Sequence, residues 1–90
     1  MQASGAGERL LMCFKRDELR QELRQRSMPT TGLKADLIRR LLQVERRPST
    51  ELLEDIEATS RRTGRSVTLR DILVPEAAAA WVAAGRRRRG

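Results

Sequence analysis

The sequence contains no histidine, no tyrosine and a single cysteine, Cys13. A zinc site of cysteine and histidine ligands therefore cannot be assembled, and no disulfide can form within the chain. Because general acid–base catalysis relies mostly on histidine, we expect no enzymatic activity, no metal and no cofactor. Cys13 lies in an apolar run with Leu10, Leu11, Met12 and Phe14, which predicts a buried, unreactive thiol.

Aromatic residues and long apolar runs are scarce as well. One Phe and one Trp are present, and the apolar run of residues 10–14 is too short for a signal-peptide core or a membrane span. We therefore expect a soluble intracellular protein without a membrane partner, whose thin core consists mainly of leucines.

Positive charge is abundant. The chain has 19 Lys and Arg against 12 Asp and Glu, for a net charge of +7. All the cations except Lys15 and Lys34 are arginines, whose planar donor fork suits phosphate oxygens. Most of the surplus lies in residues 1–47 and in the arginine run of residues 86–89. This distribution indicates a polyanionic partner.

A first helix is indicated by Leu19 and Leu23, which stand four residues apart among polar neighbours. Asp17 is the expected N-cap. The helix should end before Pro29, because proline restricts the preceding residue and lacks an amide hydrogen. Gly32, further along the break, can adopt backbone angles closed to other residues.

A second helix is predicted from Leu33 to Val44. Its apolar stripe can pack against that of the first helix across the short break. The predicted core of the pair is Leu19, Leu23, Met28, Leu37, Ile38 and Leu41.

Further helices are expected in the second half of the chain. Thr50 should cap a third helix that ends near Gly64, and a short apolar stretch covers residues 69–74. Pro75 should open an alanine-rich helix that Gly85 closes. The expected division is a flexible segment at 1–13, a helix–loop–helix module at 14–45, a linker at 46–49, a helical C-terminal region at 50–85 and a basic tail at 86–90.

The stretch of residues 17–41 resembles the SAP domain. The paired leucines, the apolar residue before a short polar loop, and the glycine and lysine before a leucine-rich second helix match Leu19, Leu23, Met28, Gly32, Lys34, Leu37 and Leu41. Two positions depart from the pattern: Ser27, often glycine or basic, and Arg16, usually aliphatic, for which Phe14 is expected to compensate. The resemblance implies an all-α fold, a SAP-type helix–loop–helix with additional C-terminal helices, that binds DNA, often AT-rich.

The expected binding surface lies at the break between the two helices. Arg26 ends the first helix and Lys34 begins the second, and amides at a helix N-terminus attract anions. Similar SAP domains bind through this loop and the adjoining helix ends. The predicted nucleic-acid-binding residues are Arg24, Arg26, Thr30, Thr31, Gly32, Leu33, Lys34 and Arg39. For Arg20, Arg24, Arg39 and Arg40, a solvated helix face is the alternative.

The leading functional hypothesis is a nuclear, weakly sequence-selective DNA-binding module that tethers a protein or complex to chromatin. Any AT preference would come from minor-groove width and potential. RNA binding through the same loop is the first alternative. A protein-interaction module in residues 50–84, docking through Trp81, is the second, unless Trp81 packs on Leu69, Ile72 or Leu73. The terminal arginines are interpreted as a localisation signal, an electrostatic arm or a flexible tail.

Overall fold

The computed structural model describes the backbone of residues 5–44 and 46–87 and the side chains of residues 5–44 and 46–85. This part of the chain is helical and contains no strand, which confirms the all-α prediction. The helices are α1 (Ala6–Met12), α2 (Arg16–Gln25), α3 (Lys34–Leu41), α4 (Thr50–Thr63), α5 (Leu69–Leu73) and α6 (Pro75–Arg87).

The start of α2 differs from the prediction that Asp17 caps it. The helix begins at Arg16, and the backbone amide of the N-cap residue Lys15 donates to Glu18 Oε1 at 2.8 Å. Asp17 lies within the first turn and pairs with Arg20 at 3.1 Å. The prediction is wrong because a carboxylate three residues after the N-cap satisfies the cap amide, so the cap residue itself need not be acidic.

Both ends of α4 are capped by the residues directly next to the helix. Ser49, not Thr50, is the N-cap, and its Oγ accepts from the amide of Leu52 at 3.1 Å. The helix ends at Gly64, which has the left-handed φ of 75° that the sequence led us to expect at its end. Ser49 and Thr50 are both capable of capping a helix. The chain uses Ser49, which leaves Thr50 as the first residue of the helix.

Helix lengths differ from the predictions at two C-termini. The helix α3 stops at Leu41, short of the predicted Val44. Pro75 opens α6 as predicted, but the helix continues through Gly85 to Arg87 instead of closing at Gly85. Glycine ends a helix when it adopts a positive φ, and Gly85 is not among the positive-φ glycines of the described residues.

One buried cluster takes residues from every helix. Of the predicted core of the helix pair, five side chains are fully buried and Met28 packs against the cluster as a half-buried residue. The buried apolar residues are Ala6, Leu10, Leu11, Leu19, Leu23, Leu37, Ile38, Leu41, Leu53, Ile56, Ile72, Leu73, Ala78, Trp81 and Val82.

The N-terminal region is ordered where flexibility was expected. For residues 6–12 the prediction of a flexible segment is wrong: α1 buries Leu10 and Leu11 and packs on α3, α4 and α5. Gly7 allows a close approach, because a Cβ there would lie 3.1 Å from Leu42 Cδ2 and 3.2 Å from Leu53 Cδ1. Seven residues carry too little periodicity to show that they will be buried by distant helices. Residues 1–4 lie outside the described part.

An ion pair connects α1 to α4. Arg9 donates from Nε to Glu57 Oε2 at 2.7 Å and from Nη2 to Glu57 Oε1 at 2.9 Å, a bidentate geometry. Glu57 is largely shielded from solvent, with 13% of its side chain exposed. The hydrogen bond from Arg9, followed by the charges of Arg9 and Arg61, lowers the pKa of Glu57, while its burial acts in the opposite direction.

Cys13 is exposed, so the prediction of a buried thiol is wrong. It is the C-cap of α1, and its Sγ lies 3.7 Å from the carbonyl oxygen of Arg9. The inner face of this short helix is occupied by Leu10 and Leu11, which leaves the cap residue outside the core.

Trp81 packs into the core and is only 7% exposed. It belongs to the same buried cluster as Ile72 and Leu73, and its Nε1 donates to the carbonyl oxygen of Ser66 at 2.9 Å. The packing interpretation of Trp81 therefore holds, and the side chain is not available as an exposed anchor.

Candidate nucleic-acid interface

The end of α2 turns the chain sharply into the loop. Arg26 is the C-cap, and Ser27 follows with a positive φ of 59°. The amide of Ser27 donates to the carbonyl of Arg24 at 3.0 Å, and the amide of Met28 donates to that of Leu23 at 2.9 Å. These two bonds form a Schellman motif, which folds Met28 back onto the core.

The side chain of Arg40 forms hydrogen bonds with the loop between α2 and α3. Its Nη1 donates to the carbonyl oxygens of Thr31 at 2.6 Å and of Pro29 at 3.2 Å. Arg40 and the loop residue Thr30 are half-buried, and Thr31 is exposed. Arg40 thus neutralises carbonyl oxygens that would otherwise repel an approaching anion.

Gly32 is required by the geometry of the loop. Its φ is 113°, and a Cβ at this position would lie 3.0 Å from both Cβ and Oδ2 of Asp36. Any other residue would be strained in its backbone and crowded against the first turn of α3. The sequence prediction assigned Gly32 this position in the break between the helices.

Asp36 organises the start of α3. Its Oδ2 accepts from the amide of Leu33 at 3.0 Å, and its Oδ1 pairs with Arg39 Nη1 at 3.0 Å. The backbone hydrogen bond from Leu33, followed by Arg39 and the charge of Arg40, lowers the pKa of Asp36. The Leu33 amide expected to face a phosphate is therefore already bonded to a carboxylate, whereas the Leu33 side chain is 71% exposed.

The predicted cations have different surroundings. Lys34 Nζ donates to the carbonyl oxygen of Met12 at 2.8 Å, so this half-buried lysine also joins α3 to the end of α1. Arg26 pairs with Glu22 at 3.2 Å. The side chain of Arg39 is 67% exposed despite its pair with Asp36. Arg24 is exposed, and across residues 5–44 and 46–85 its side chain has no ion pair or hydrogen bond.

These observations define a loop between two helices of one core, with cations at both of its ends. Residues 14–46 match the family model of the SAP domain. The match spans about a third of the chain and includes α2, the loop and α3. SAP is a nucleic-acid-binding domain and not a catalytic one, so the match indicates nucleic-acid binding in general. No curated protein and no solved structure shows significant similarity to the chain.

Within the SAP segment, the structure brings most of the predicted site together. Thr30, Thr31, Gly32, Leu33 and Lys34 are consecutive, Arg26 precedes them at the end of α2, and Arg39 reaches the loop end through Asp36. Arg24, whose carbonyl accepts one of the two bonds of the Schellman motif, is exposed. The helices of the described residues include none long and apolar enough to cross a membrane.

Sequence reasoning missed Asp36 and the loop contacts of Arg40 as parts of the site. Asp36 stands three residues after the N-cap Leu33, and this spacing is a sequence signal for a capping carboxylate. No comparable sequence signal identifies Arg40, because its contacts with the loop depend on how the loop folds back over α3.

Ser27 leads to a stability prediction. Replacing Ser27 with glycine should raise the free energy of unfolding by about 0.5–1 kcal/mol, because the left-handed conformation is strained for residues with a Cβ. Urea denaturation followed by circular dichroism measures the change. The matched control is Ser66→Gly, at an exposed position without a positive φ, which should not stabilise the protein; equal stabilisation by both substitutions would contradict the argument.

Proposed function

We propose that residues 14–46 bind the phosphate backbone of duplex DNA with little sequence selectivity and with a preference for AT-rich sites. The observation that supports this most directly is the loop of residues 29–33, in which Arg40 donates to the carbonyl oxygens of Pro29 and Thr31. Thr30 and Thr31 lie in this loop, between Arg26 at the end of α2 and Lys34 at the start of α3.

The binding mode follows from the chemistry of these groups. Arg24 and Arg39 offer exposed guanidinium forks, and the hydroxyls of Thr30 and Thr31 add hydrogen-bond donors to phosphate oxygens. Such contacts position a protein on DNA without reading base edges. An AT preference would then arise from the narrow minor groove and its more negative potential.

The small number of phosphate contacts bears on the role of this module in the cell. A module that engages only a few phosphates binds weakly, which suits a tether that brings a protein or complex to chromatin rather than a sequence-specific regulator. The resemblance to the SAP family and the arginine run of residues 86–89 support a nuclear location.

The salt dependence of binding tests the proposal. With about 3–5 phosphates engaged, log K should fall against log salt concentration with a slope of roughly −3 to −4. Replacing Arg24 with glutamine should weaken binding and bring the slope closer to zero by about 0.9, since one phosphate contact is lost. Fluorescence anisotropy of a labelled AT-rich duplex of about 20 base pairs, longer than the 45 Å extent of the protein, measures both.

Arg70→Gln is the matched control. Arg70 is an exposed arginine of α5, outside the SAP segment, and its replacement makes the same change in net charge. A proposal based on position requires Arg24→Gln to weaken binding more than Arg70→Gln. Equal effects of the two substitutions on DNA binding, or the absence of salt-dependent binding, would contradict the proposal.

Competition with RNA distinguishes the nearest alternative. The chain has one Phe and one Trp, and Trp81 is buried, so few aromatic faces are available to stack the bases of single strands. Unlabelled RNA of equal length should therefore displace the labelled DNA less effectively than unlabelled duplex DNA. The reverse order would assign the loop to RNA.

A further inference from the structure

Leu33 is a large apolar residue that the fold leaves exposed to water. Its side chain is 71% exposed, and among the described residues the other exposed large apolar side chain is Met12, 55% exposed at the end of α1. Leu33 is the N-cap of α3 and makes no side-chain hydrogen bond there. Serine, threonine, aspartate and asparagine favour this position because they accept a backbone hydrogen bond, which leucine cannot do. Leucine at position 33 therefore improves neither the core nor the cap.

The backbone around Leu33 is fixed on both sides. Its amide donates to Asp36 Oδ2 at 3.0 Å, and its carbonyl oxygen accepts from the amides of Asp36 at 2.9 Å and Leu37 at 3.1 Å. Before it in the loop, Arg40 donates to the carbonyl oxygen of Thr31 at 2.6 Å. The exposed side chain thus projects from a backbone whose conformation is already determined. Little backbone entropy remains to be lost when a partner binds there.

The neighbours of Leu33 are polar and cationic rather than apolar. Thr31 and Gly32, directly before it, are exposed, and Lys34 follows it. Arg39, further along α3, is 67% exposed. A protein-docking face would need a contiguous apolar patch. One leucine among hydroxyls and cations instead fits a narrow groove between two rows of phosphates, which is the geometry of the minor groove of duplex DNA.

We propose that the side chain of Leu33 enters the minor groove and is a determinant of the preference for A·T pairs. Leu33 would act within the DNA binding proposed above for residues 14–46, on which this inference rests. In the minor groove, a G·C pair differs from an A·T pair by the 2-amino group of guanine. An apolar side chain packed against that group covers a hydrogen-bond donor without offering an acceptor, which is unfavourable. Leu33 therefore discriminates against guanine rather than recognising adenine or thymine.

Three duplexes of equal length test which chemical group is discriminated. Their central pairs are A·T, G·C or inosine·cytosine, and the last lacks the guanine 2-amino group but keeps the major-groove atoms of G·C. Fluorescence anisotropy with the full chain should give similar affinities for the A·T and inosine·cytosine duplexes, and an affinity about fivefold lower for the G·C duplex. An inosine·cytosine duplex that binds as weakly as the G·C duplex would overturn the proposal.

Leu33→Ser tests the side chain itself. Serine can accept a hydrogen bond from the guanine amino group, so the affinities of this variant for the three duplexes should lie within about twofold of one another. The small remaining preference would come from groove width and potential. Leu33→Met, which keeps an apolar side chain, should retain the preference of about fivefold. An unchanged preference in Leu33→Ser would overturn the proposal.

Met12→Ser is the matched control. Met12 is an exposed large apolar residue as well, but it lies outside the segment that matches the SAP family. Its replacement should leave the preference for A·T over G·C pairs at about fivefold. Equal loss of preference in Met12→Ser and Leu33→Ser would mean that exposed apolar surface in general, and not the position of Leu33, sets the preference. The proposal would then be wrong.

The melting temperature separates a role in binding from a role in folding. Because serine is a better N-cap than leucine, Leu33→Ser should melt at a temperature no lower than that of the unmodified protein. Thermal unfolding followed by circular dichroism measures it. A clearly lower melting temperature would show that Leu33 stabilises the fold, and would contradict its assignment to the DNA interface.

Uracil in place of thymine tests the opposite groove. This replacement removes the methyl group that thymine presents in the major groove and leaves the minor-groove atoms unchanged. Binding of the A·T duplex should therefore be unaffected. Loss of the preference for A·T pairs on this replacement would place Leu33 in the major groove and overturn the assignment.

The outcomes also separate this inference from the proposed function. A preference for A·T pairs that survives Leu33→Ser would remove only the role of Leu33 and leave DNA binding by residues 14–46 standing. Salt-dependent binding with equal affinity for A·T and G·C would remove both the AT preference and the role of Leu33, but not the binding of the phosphate backbone. Absence of binding by the unmodified protein would overturn both proposals.

Discussion

Truncation of Leu11 to alanine is expected to lower the free energy of unfolding by about 2–5 kcal/mol. Leu11 is fully buried in α1, and α1 packs on α3, α4 and α5. The substitution removes apolar contacts and leaves a cavity among several helices. Because a domain of this size is only marginally stable, a loss of this magnitude should unfold a large fraction of the molecules at moderate temperature. Urea denaturation followed by circular dichroism measures the loss.

The neighbouring Met12→Ala is the control for Leu11→Ala. Met12 is 55% exposed, so its truncation should change the stability by no more than about 0.5 kcal/mol. Similar small losses in both variants would mean that α1 is not part of the core. That result would restore the expectation of a flexible N-terminal segment.

Truncation of Trp81 to alanine should be at least as damaging, with an expected loss of about 3–5 kcal/mol. The indole belongs to the buried cluster, donates to the carbonyl oxygen of Ser66 and lies against the guanidinium of Arg65. Thermal and urea unfolding of Trp81→Ala, followed by far-ultraviolet circular dichroism, would measure the loss.

Trp81→Phe distinguishes the contributions of the indole. Phenylalanine keeps an aromatic ring in the core but cannot donate to Ser66. Trp81→Phe should therefore lower the free energy of unfolding less than Trp81→Ala does, and about 1 kcal/mol of its effect should come from the lost hydrogen bond. If Trp81→Ala retained the stability of the unmodified protein, the indole would not be a core residue, and an exposed docking role would again be open.

Both substitutions test the same property of the fold, which is that the SAP segment shares its core with the rest of the chain. The α2–α3 pair contributes Leu19, Leu23, Leu37 and Leu41 to the cluster that also contains Leu11 and Trp81. Residues before and after the segment thereby stabilise the loop between α2 and α3. We therefore expect Leu11→Ala and Trp81→Ala to weaken DNA binding indirectly, in proportion to the unfolded fraction.

The helix pair was predictable because its signals are local. Leu19 and Leu23 are one turn apart, Pro29 excludes continuation of α2, and Gly32 marks a position where φ must be positive. Helix termini were less predictable. Ser49 and Thr50 are both capable N-caps, and Gly85 ends a helix only in a conformation that it does not adopt here.

The candidate site was predictable as a set of residues but not as a set of contacts. The sequence places Arg26, Thr30 and Lys34 around a short loop, and periodicity alone brings the ends of α2 and α3 together. The spacing of Leu33 and Asp36 also signals the bond between the Leu33 amide and the Asp36 carboxylate. The sequence does not show that Lys34 donates to Met12, because that partner lies 22 residues away along the chain, at the end of α1.

Spacing, charge and turn residues thus specified an all-helical chain and a loop flanked by cations, since these properties depend on neighbours within a few residues. Packing decided the rest: the burial of Leu11, the exposure of Cys13, the hydrogen bond from Arg40 to the loop and the stacking of Arg65 on Trp81. The physical reason is that burial and hydrogen-bond pairing are determined by whichever surface meets a side chain after the helices have assembled. That surface comes from distant parts of the chain, and its position depends on the interactions of all the helices together.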